Sequence, residues 1–165
     1  AQILKDFKDG KGGAIVATFL LVLAGMAFLP VAWAALGRVS AGLSALGDHM
    51  ARSTALLFVV MLLVGAGAFG ALAGADVFGN EKNPSVDLVR FVPQLGFPVV
   101  LVAGALSAAV FLVVVSRAGQ TASAVPTWFS VLGYVAAVAM LGGVFFVPML
   151  LLPVWVLAGA FVHRP

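Results

Sequence analysis

The sequence predicts an all-α integral membrane protein, with residues 1–165 forming a single transmembrane domain built as a four-helix bundle. The chain is 63% hydrophobic and only 9% charged, whereas a soluble domain carries roughly 25% charged residues. Long uncharged runs divide the chain, and each reaches the roughly 20 residues that a helix needs to cross a bilayer core. No segment alternates polar and apolar residues as the strands of a membrane barrel do.

Four spans are predicted, at residues 14–37, 53–75, 95–116 and 128–162. We expect each span to be helical, because backbone N–H and C=O groups find no hydrogen-bond partner in lipid. Pro30 in the first span, and Pro148 and Pro153 in the last, are expected to bend their helices. The last span is longer than one straight crossing requires. We therefore expect it to begin at the interface near Trp128 and then to tilt or bend.

Polar loops separate the predicted spans. Loop one covers residues 38–52, loop two 76–94 and loop three 117–127. Loop two is the longest, and the turn-forming residues 79–84 precede a segment, 85–91, that predicts a short interfacial helix. Trp33 and Trp128 are predicted to lie in one membrane interface and Trp155 in the opposite one. The alternative is that these tryptophans pack between helices.

Lysine and arginine are more frequent in the N-terminal tail, loop two and the C-terminal end than in loops one and three. The positive-inside rule then predicts that both termini are cytoplasmic. The acidic, turn-rich character of loop two favours the opposite orientation. A bias toward alanine, valine and glycine is typical of a GC-rich bacterial genome. We therefore expect a multi-pass protein of the bacterial inner (cytoplasmic) membrane.

Small residues at four-residue spacing mark candidate faces for helix packing, because membrane helices associate where their backbones can approach closely. The candidate packing residues are Ala66, Gly70, Gly74, Gly104, Ala108, Gly142 and Gly143. One interpretation is packing within the chain's own bundle. The other is a face that binds a second copy or a larger membrane complex.

Ionisable residues are missing from the middle of every predicted span. This argues against a proton-coupled pathway within one copy, because such pathways need intramembrane ionisable groups. The two histidines, His49 and His163, lie outside the spans, so bis-histidine haem is not expected. Cysteine is absent, which excludes a thiolate metal site. We expect no cofactor, no metal and no nucleic-acid partner.

Loop one contains the sole cluster of mixed chemistry: Asp48, His49 and Arg52. A histidine beside an aspartate raises the hypothesis of a general base. Adjacent residues rarely aim at one atom, however, and Ser53 and Thr54 serve equally well as caps of the second span. We predict that the chain is not an enzyme.

A wider pattern runs through both halves of the chain. The first span ends Leu29-Pro30, followed by Ala34-Ala35-Leu36-Gly37-Arg38, and the last segment contains Pro126-Thr127-Trp128, Leu132-Gly133-Tyr134 and Gly142-Gly143. This pattern resembles bacterial multi-span membrane proteins of unknown function, of the DUF4386-like type. The resemblance covers mainly the second half of the chain. It implies no catalytic, cofactor-binding or metal-binding residues.

Two hypotheses follow. The first is a non-catalytic membrane subunit or scaffold that packs against itself or a larger membrane complex. The second is the binding or transport of an apolar or lipid-like solute, in a soft pocket lined by methionines. The candidate methionines are Met26, Met61, Met140 and Met149. Membrane lipid, other membrane subunits and a second copy are the expected partners.

Overall fold

The structure, a computed structural model, describes residues 2–78, 85–142 and 151–162. Helices joined by short turns account for nearly all of this part of the chain, which contains no strand. The elements are α1 (Gln2–Val39), a 3-10 turn (Ser40–Gly42), α2 (Ala45–Phe78), α3 (Val86–Pro98), a π-helical segment (Val99–Gly104), α4 (Ala105–Thr121), α5 (Thr127–Leu141) and α6 (Leu151–Val162). The all-α prediction is confirmed.

Three helices in the described residues are long and apolar enough to cross a membrane: Gly12–Gly42, Ala45–Val77 and Val86–Thr121. Each has more than 30 residues, whereas a crossing needs about 20. α2 also begins before the apolar run at 53–75, because the polar residues that precede this run are helical as well. There Gly47 donates its backbone N–H to the Ser44 hydroxyl, 3.1 Å away, in the manner of a helix cap.

α1 and α2 form an antiparallel hairpin. Phe28 packs edge-on against Phe58, with ring centroids 4.9 Å apart, and nearer the other end of the hairpin Thr18 packs against Gly70. Phe111 of α4 contacts the opposite side of Phe28 at 5.6 Å. These three rings form the centre of a core in which α1, α2 and α4 meet.

The third long helix starts at Val86, because the Ser85 hydroxyl accepts a hydrogen bond from the Leu88 N–H at 3.3 Å, as an N-cap does. We expected a separate interfacial helix in loop two, but α3 continues directly into the π-helical segment and α4. Pro98 has no N–H to donate to the Gln94 carbonyl. The helix widens into the π form immediately after this proline instead of ending.

The predicted last span is not one helix in the described residues. α5 ends at Leu141, and Gly142 donates its N–H to the Ala139 carbonyl at 3.0 Å. Trp155 of α6 then stacks on Phe129 near the start of α5, with centroids 5.0 Å apart. In one continuous helix these residues would be about 39 Å apart. The chain therefore reverses between α5 and α6; Pro148 lies outside the described residues.

The pairing of α5 with α6 is antiparallel. Gly159 lies beside the ring of Phe129, and Gly133 lies beside the indole nitrogen of Trp155, so residues later in α6 meet residues earlier in α5. Trp155 is 3% exposed and lies near Trp128, whose ring is 5.8 Å from that of Phe129. The prediction that Trp155 occupies the opposite interface is therefore wrong, and the alternative of packing between helices holds for this residue.

Candidate functional site

A cavity of about 440 Å³ lies between α1, α4, α5 and α6; we call it the α1–α6 cavity. Its size falls in the range of small-molecule sites, about 300–1,000 Å³. Its walls are mainly aliphatic and aromatic. The lining residues are Val31, Ala34, Ala35, Arg38, Val39, Val115, Ser116, Val125, Phe129, Trp155, Val156, Leu157 and Gly159.

Close backbone contacts hold the walls of this cavity together at one end of the bundle. Gly42, in the 3-10 turn after α1, lies so near the Ala118 carbonyl of α4 that a Cβ atom would collide with it. Gly119 similarly contacts Val39 of α1 and Val125 of the turn before α5. α6 packs on α5 through Trp155, and the described residues of α6 and α1 face each other across the cavity.

Two polar atoms in the cavity wall are buried without a hydrogen-bond partner among the described residues: the Ser116 hydroxyl and the Trp155 indole N–H. Ser116 is 1% exposed. Helical serine and threonine hydroxyls often donate to a carbonyl one turn earlier, as Thr18 does to Ala14 and Ser107 does to Ala103, both at 2.8 Å. Ser116 makes no such bond, and its hydroxyl oxygen is fully buried.

Gly133 of α5 brings these two atoms together. A Cβ atom at Gly133 would overlap the Ser116 hydroxyl and would lie 2.9 Å from the Trp155 indole nitrogen. The hydroxyl and the N–H therefore converge on the bare backbone of one glycine. A tryptophan N–H can only donate, whereas a serine hydroxyl can both donate and accept. Both atoms are packed against this glycine and are buried from the open part of the cavity.

Arg38 stands at the rim of the cavity, in the last turn of α1, with an exposed side chain. No carboxylate of the described residues forms an ion pair with it. α1 and α4 run parallel, with Phe28 beside Phe111 and Val39 beside Gly119. This register places Ser116 level with Ala34 and Ala35, about one helical turn or 6 Å deeper than Arg38.

The site is thus an apolar cavity with a cation at its rim and two buried, unpaired polar atoms in the packing behind its wall. No family model, curated protein or solved structure matches this chain. The side chains of the cavity itself therefore indicate its chemistry.

The candidate packing residues occupy several different environments. Ala66 and Ala108 are fully buried, Gly70 lies against Thr18, and Gly104 lies 3.6 Å from the Cβ of Met61, measured from an added Cβ. Gly74 faces open space. Gly142 caps the end of α5, and Gly143 lies outside the described residues.

The outer face of α2 carries a shallow groove of about 240 Å³, formed by Ile15, Thr18, Gly67, Gly70, Ala71 and Gly74. A Cβ atom added at Gly67 or Gly74 would meet nothing within 4 Å. This face of α2 is therefore open to a neighbouring helix or to lipid.

The loop-one cluster lies on the first turns of α2. Arg52 donates its Nε–H to the Asp48 carboxylate at 2.8 Å and lies over the ring of Trp33, 5.9 Å from its centroid. His49 is exposed. The Asp48 carboxylate thus pairs with Arg52 one turn away, as expected of an (i, i+4) surface pair.

The sequence did not single out the residues that make the cavity. Ser116 was the last residue of a predicted span, Trp155 was assigned to an interface, and Arg38 was a loop cation. The candidate methionines do not line this cavity: Met26 is exposed, Met140 is buried elsewhere, and Met149 lies outside the described residues. Gly133 was one residue in the sequence that could have indicated this region. A glycine lets side chains of neighbouring helices, here a serine and a tryptophan, come close to its backbone.

Proposed function

We propose that this chain binds an apolar or lipid-like solute in the α1–α6 cavity. The observation that carries the proposal is a cavity of about 440 Å³ whose wall is mainly aliphatic and aromatic. Such a wall stabilises a bound molecule by burying its apolar surface.

The walls favour an apolar molecule. Val31, Val115 and Leu157 supply aliphatic contacts, and the rings of Phe129 and Trp155 supply flat ones. The role proposed is binding or transfer without chemical conversion, because the polar groups named are suited to hydrogen bonding and none is paired with a general base.

The test is a purification from the native membrane in mild detergent, followed by native mass spectrometry of the intact particle. The wild-type chain is expected to carry one apolar molecule per copy. Ala35→Phe, which places a ring inside the cavity, should lose this molecule. The matched control is Ala27→Phe, on the exposed face of α1, which should retain it. An empty wild-type particle, or equal occupancy in both variants, would refute the proposal.

A second candidate function is a subunit or scaffold that packs against another copy or a larger membrane complex. The open face at Gly67, Ala71 and Gly74 supports it, since small residues let membrane helices approach closely. Gly67→Leu should dissociate such an assembly, while Leu63→Phe, at another exposed position of α2, should not. A wild-type particle containing one copy and no partner would exclude this function.

We propose that the chain resides in the bacterial inner membrane with its N-terminus in the cytoplasm, as the lysines of the tail suggest. The direction of α6 indicates the side of the membrane toward which the C-terminal end of the chain runs. Gly159 lies beside Phe129, at the end of the bundle that holds Arg38 and Arg117. If the three long helices cross the membrane, α6 runs toward the non-cytoplasmic side, in contrast to the expectation that both termini are cytoplasmic. The resemblance to DUF4386-like proteins stays an interpretation.

A further inference from the structure

We infer that α6 is a detachable wall of the α1–α6 cavity: it docks on α5 to hold a solute and separates from α5 to release that solute into the bilayer. The release of a solute rests on the proposed function, whereas the movement of α6 does not. Three features carry the inference: the contacts that hold α6, the polar atoms beside them, and the residues that α6 supplies to the cavity.

The contacts that hold α6 are apolar. Trp155 stacks on Phe129 of α5 with ring centroids 5.0 Å apart, and it lies edge-on to Phe111 of α4 at 6.5 Å. Gly159 contacts the same Phe129 ring. The hydrophobic effect does not favour such contacts inside a bilayer, because lipid tails are as apolar as these side chains. α6 is therefore held by van der Waals packing, part of which lipid tails replace when the helix moves away.

The polar atoms beside these contacts disfavour the docked position. The Trp155 indole N–H is the sole side-chain donor within Leu151–Val162, and it is buried without an acceptor among the described residues. The hydroxyls of Ser116 on α4 and Ser130 on α5 are buried without partners as well. A buried polar group without a partner destabilises the state that buries it, and it marks a place where strain is stored.

An acceptor for the indole is close at hand outside the packed position. Trp155 stacks on Phe129, the neighbour of Trp128, which is 55% exposed. This end of the bundle also holds the exposed side chains of Arg38 and Arg117. Such charged side chains lie at the polar surface of a membrane, where a tryptophan N–H finds acceptors in water and lipid headgroups. Outward movement of α6 thus exchanges an unpaired donor for a paired one.

The residues that α6 supplies make this movement matter for the cavity. They are Trp155, Val156, Leu157 and Gly159. Without them, the walls formed by α1, α4 and α5 face the bilayer on one side. A solute that contacts both α6 and α1 binds better to the docked state, and it therefore shifts the equilibrium toward docking. Docking of α6 and binding of the solute are coupled in this way.

The test measures distances between spin labels by pulsed electron paramagnetic resonance, on delipidated protein reconstituted in phosphatidylcholine nanodiscs. The chain contains no cysteine, so labels attach at introduced positions alone. The pair Val154→Cys on α6 and Val113→Cys on α4, both exposed, should give two distance populations. The control pair Val113→Cys and Val138→Cys joins α4 to α5 and should give one, since Ser116 packs directly on Gly133 there.

A substitution of one atom group tests the cause of the movement. Benzothienylalanine at Trp155 keeps the size and stacking of the ring but has sulfur in place of the N–H. It should raise the ratio of docked to undocked α6 by about fivefold or more, as expected when one unpaired buried donor is removed. The matched control is the same replacement at Trp128, whose ring is exposed; it should leave the ratio unchanged.

The outcomes separate the two proposals. A single narrow distance for the α6 pair would overturn this inference, and so would an unchanged ratio with benzothienylalanine at Trp155. Either result leaves the proposed function standing, because a fixed wall also encloses a solute. Two α6 positions in a protein whose cavity is empty by native mass spectrometry would support the movement and remove the proposed function.

Discussion

The indole of Trp155 stacks on the ring of Phe129, with centroids 5.0 Å apart and planes at 23°. This contact joins α6 to the start of α5 and turns an apolar segment that would otherwise be one long span into a hairpin. The same indole closes one wall of the α1–α6 cavity. The C-terminal hairpin and the wall of the cavity therefore share one pair of aromatic side chains.

The hairpin can be tested by cross-linking, because the chain contains no cysteine. In the double variant Trp128→Cys, Gly159→Cys, which keeps Phe129, a short bis-maleimide should link the two positions, since Trp128 adjoins the phenylalanine whose ring the glycine contacts. One continuous helix would separate them by about 46 Å. The control pair Trp128→Cys, Leu141→Cys places both residues on α5 and should not react across a short linker. Absence of the first cross-link would contradict the hairpin.

Gly42→Ala should destabilise the protein, because the added methyl would meet the Ala118 carbonyl, and a backbone atom cannot rotate away. A loss of about 1–3 kcal/mol is expected for such overpacking. The control is Gly37→Ala, where nothing lies within 4 Å and a helical alanine is favoured by up to about 1 kcal/mol. Denaturant unfolding in detergent measures both. Equal midpoints for the two variants would contradict the contact.

Gly65 of α2 and Val100 of the π-helical segment should show energetic coupling. A methyl at position 65 would collide with the Val100 side chain, so Gly65→Ala alone should cost about 1–3 kcal/mol. Val100→Ala removes the obstacle. The double variant is expected to lose less stability than the sum of the single losses, by at least about 0.5 kcal/mol. Strict additivity would indicate that the helices approach each other elsewhere.

Ser116→Ala should leave the ligand-free protein as stable as the wild type or raise its unfolding midpoint, because it removes a buried hydroxyl without a partner. The matched control is Ser107→Ala, whose hydroxyl donates to the Ala103 carbonyl at 2.8 Å; it should lower the midpoint. A midpoint for Ser116→Ala clearly below that of the Ser107 variant would show that Ser116 is bonded within the protein.

Hydropathy predicted the location of the first three spans, because long apolar runs leave few alternatives to a helix. It could not predict where the helices end. α2 begins at Ala45, ahead of its apolar run, since Asp48 and Arg52 pair along its surface. The short interfacial helix predicted at 85–91 is instead the start of the third long helix, which continues past Pro98 through a π-helical segment.

The C-terminal hairpin could not be predicted from the sequence, for a physical reason. Two short antiparallel helices and one long kinked helix are equally apolar, and composition does not distinguish them. What decides between them is the contact between Trp155 and Phe129, which depends on three-dimensional packing. The sequence could not predict the cavity for a related reason. A serine within a helix usually donates a hydrogen bond to its own backbone, and only the structure shows that Ser116 does not.

The wall supplied by α6 is also the last part of the α1–α6 cavity to be synthesised, because α6 follows the other helices in the chain. α1, α2 and the long helix ending at Thr121 come first and meet one another through Phe28, Phe58 and Phe111. A chain terminated by a premature stop codon after α5 would therefore retain this three-helix contact but would lack the Trp155 wall of the cavity.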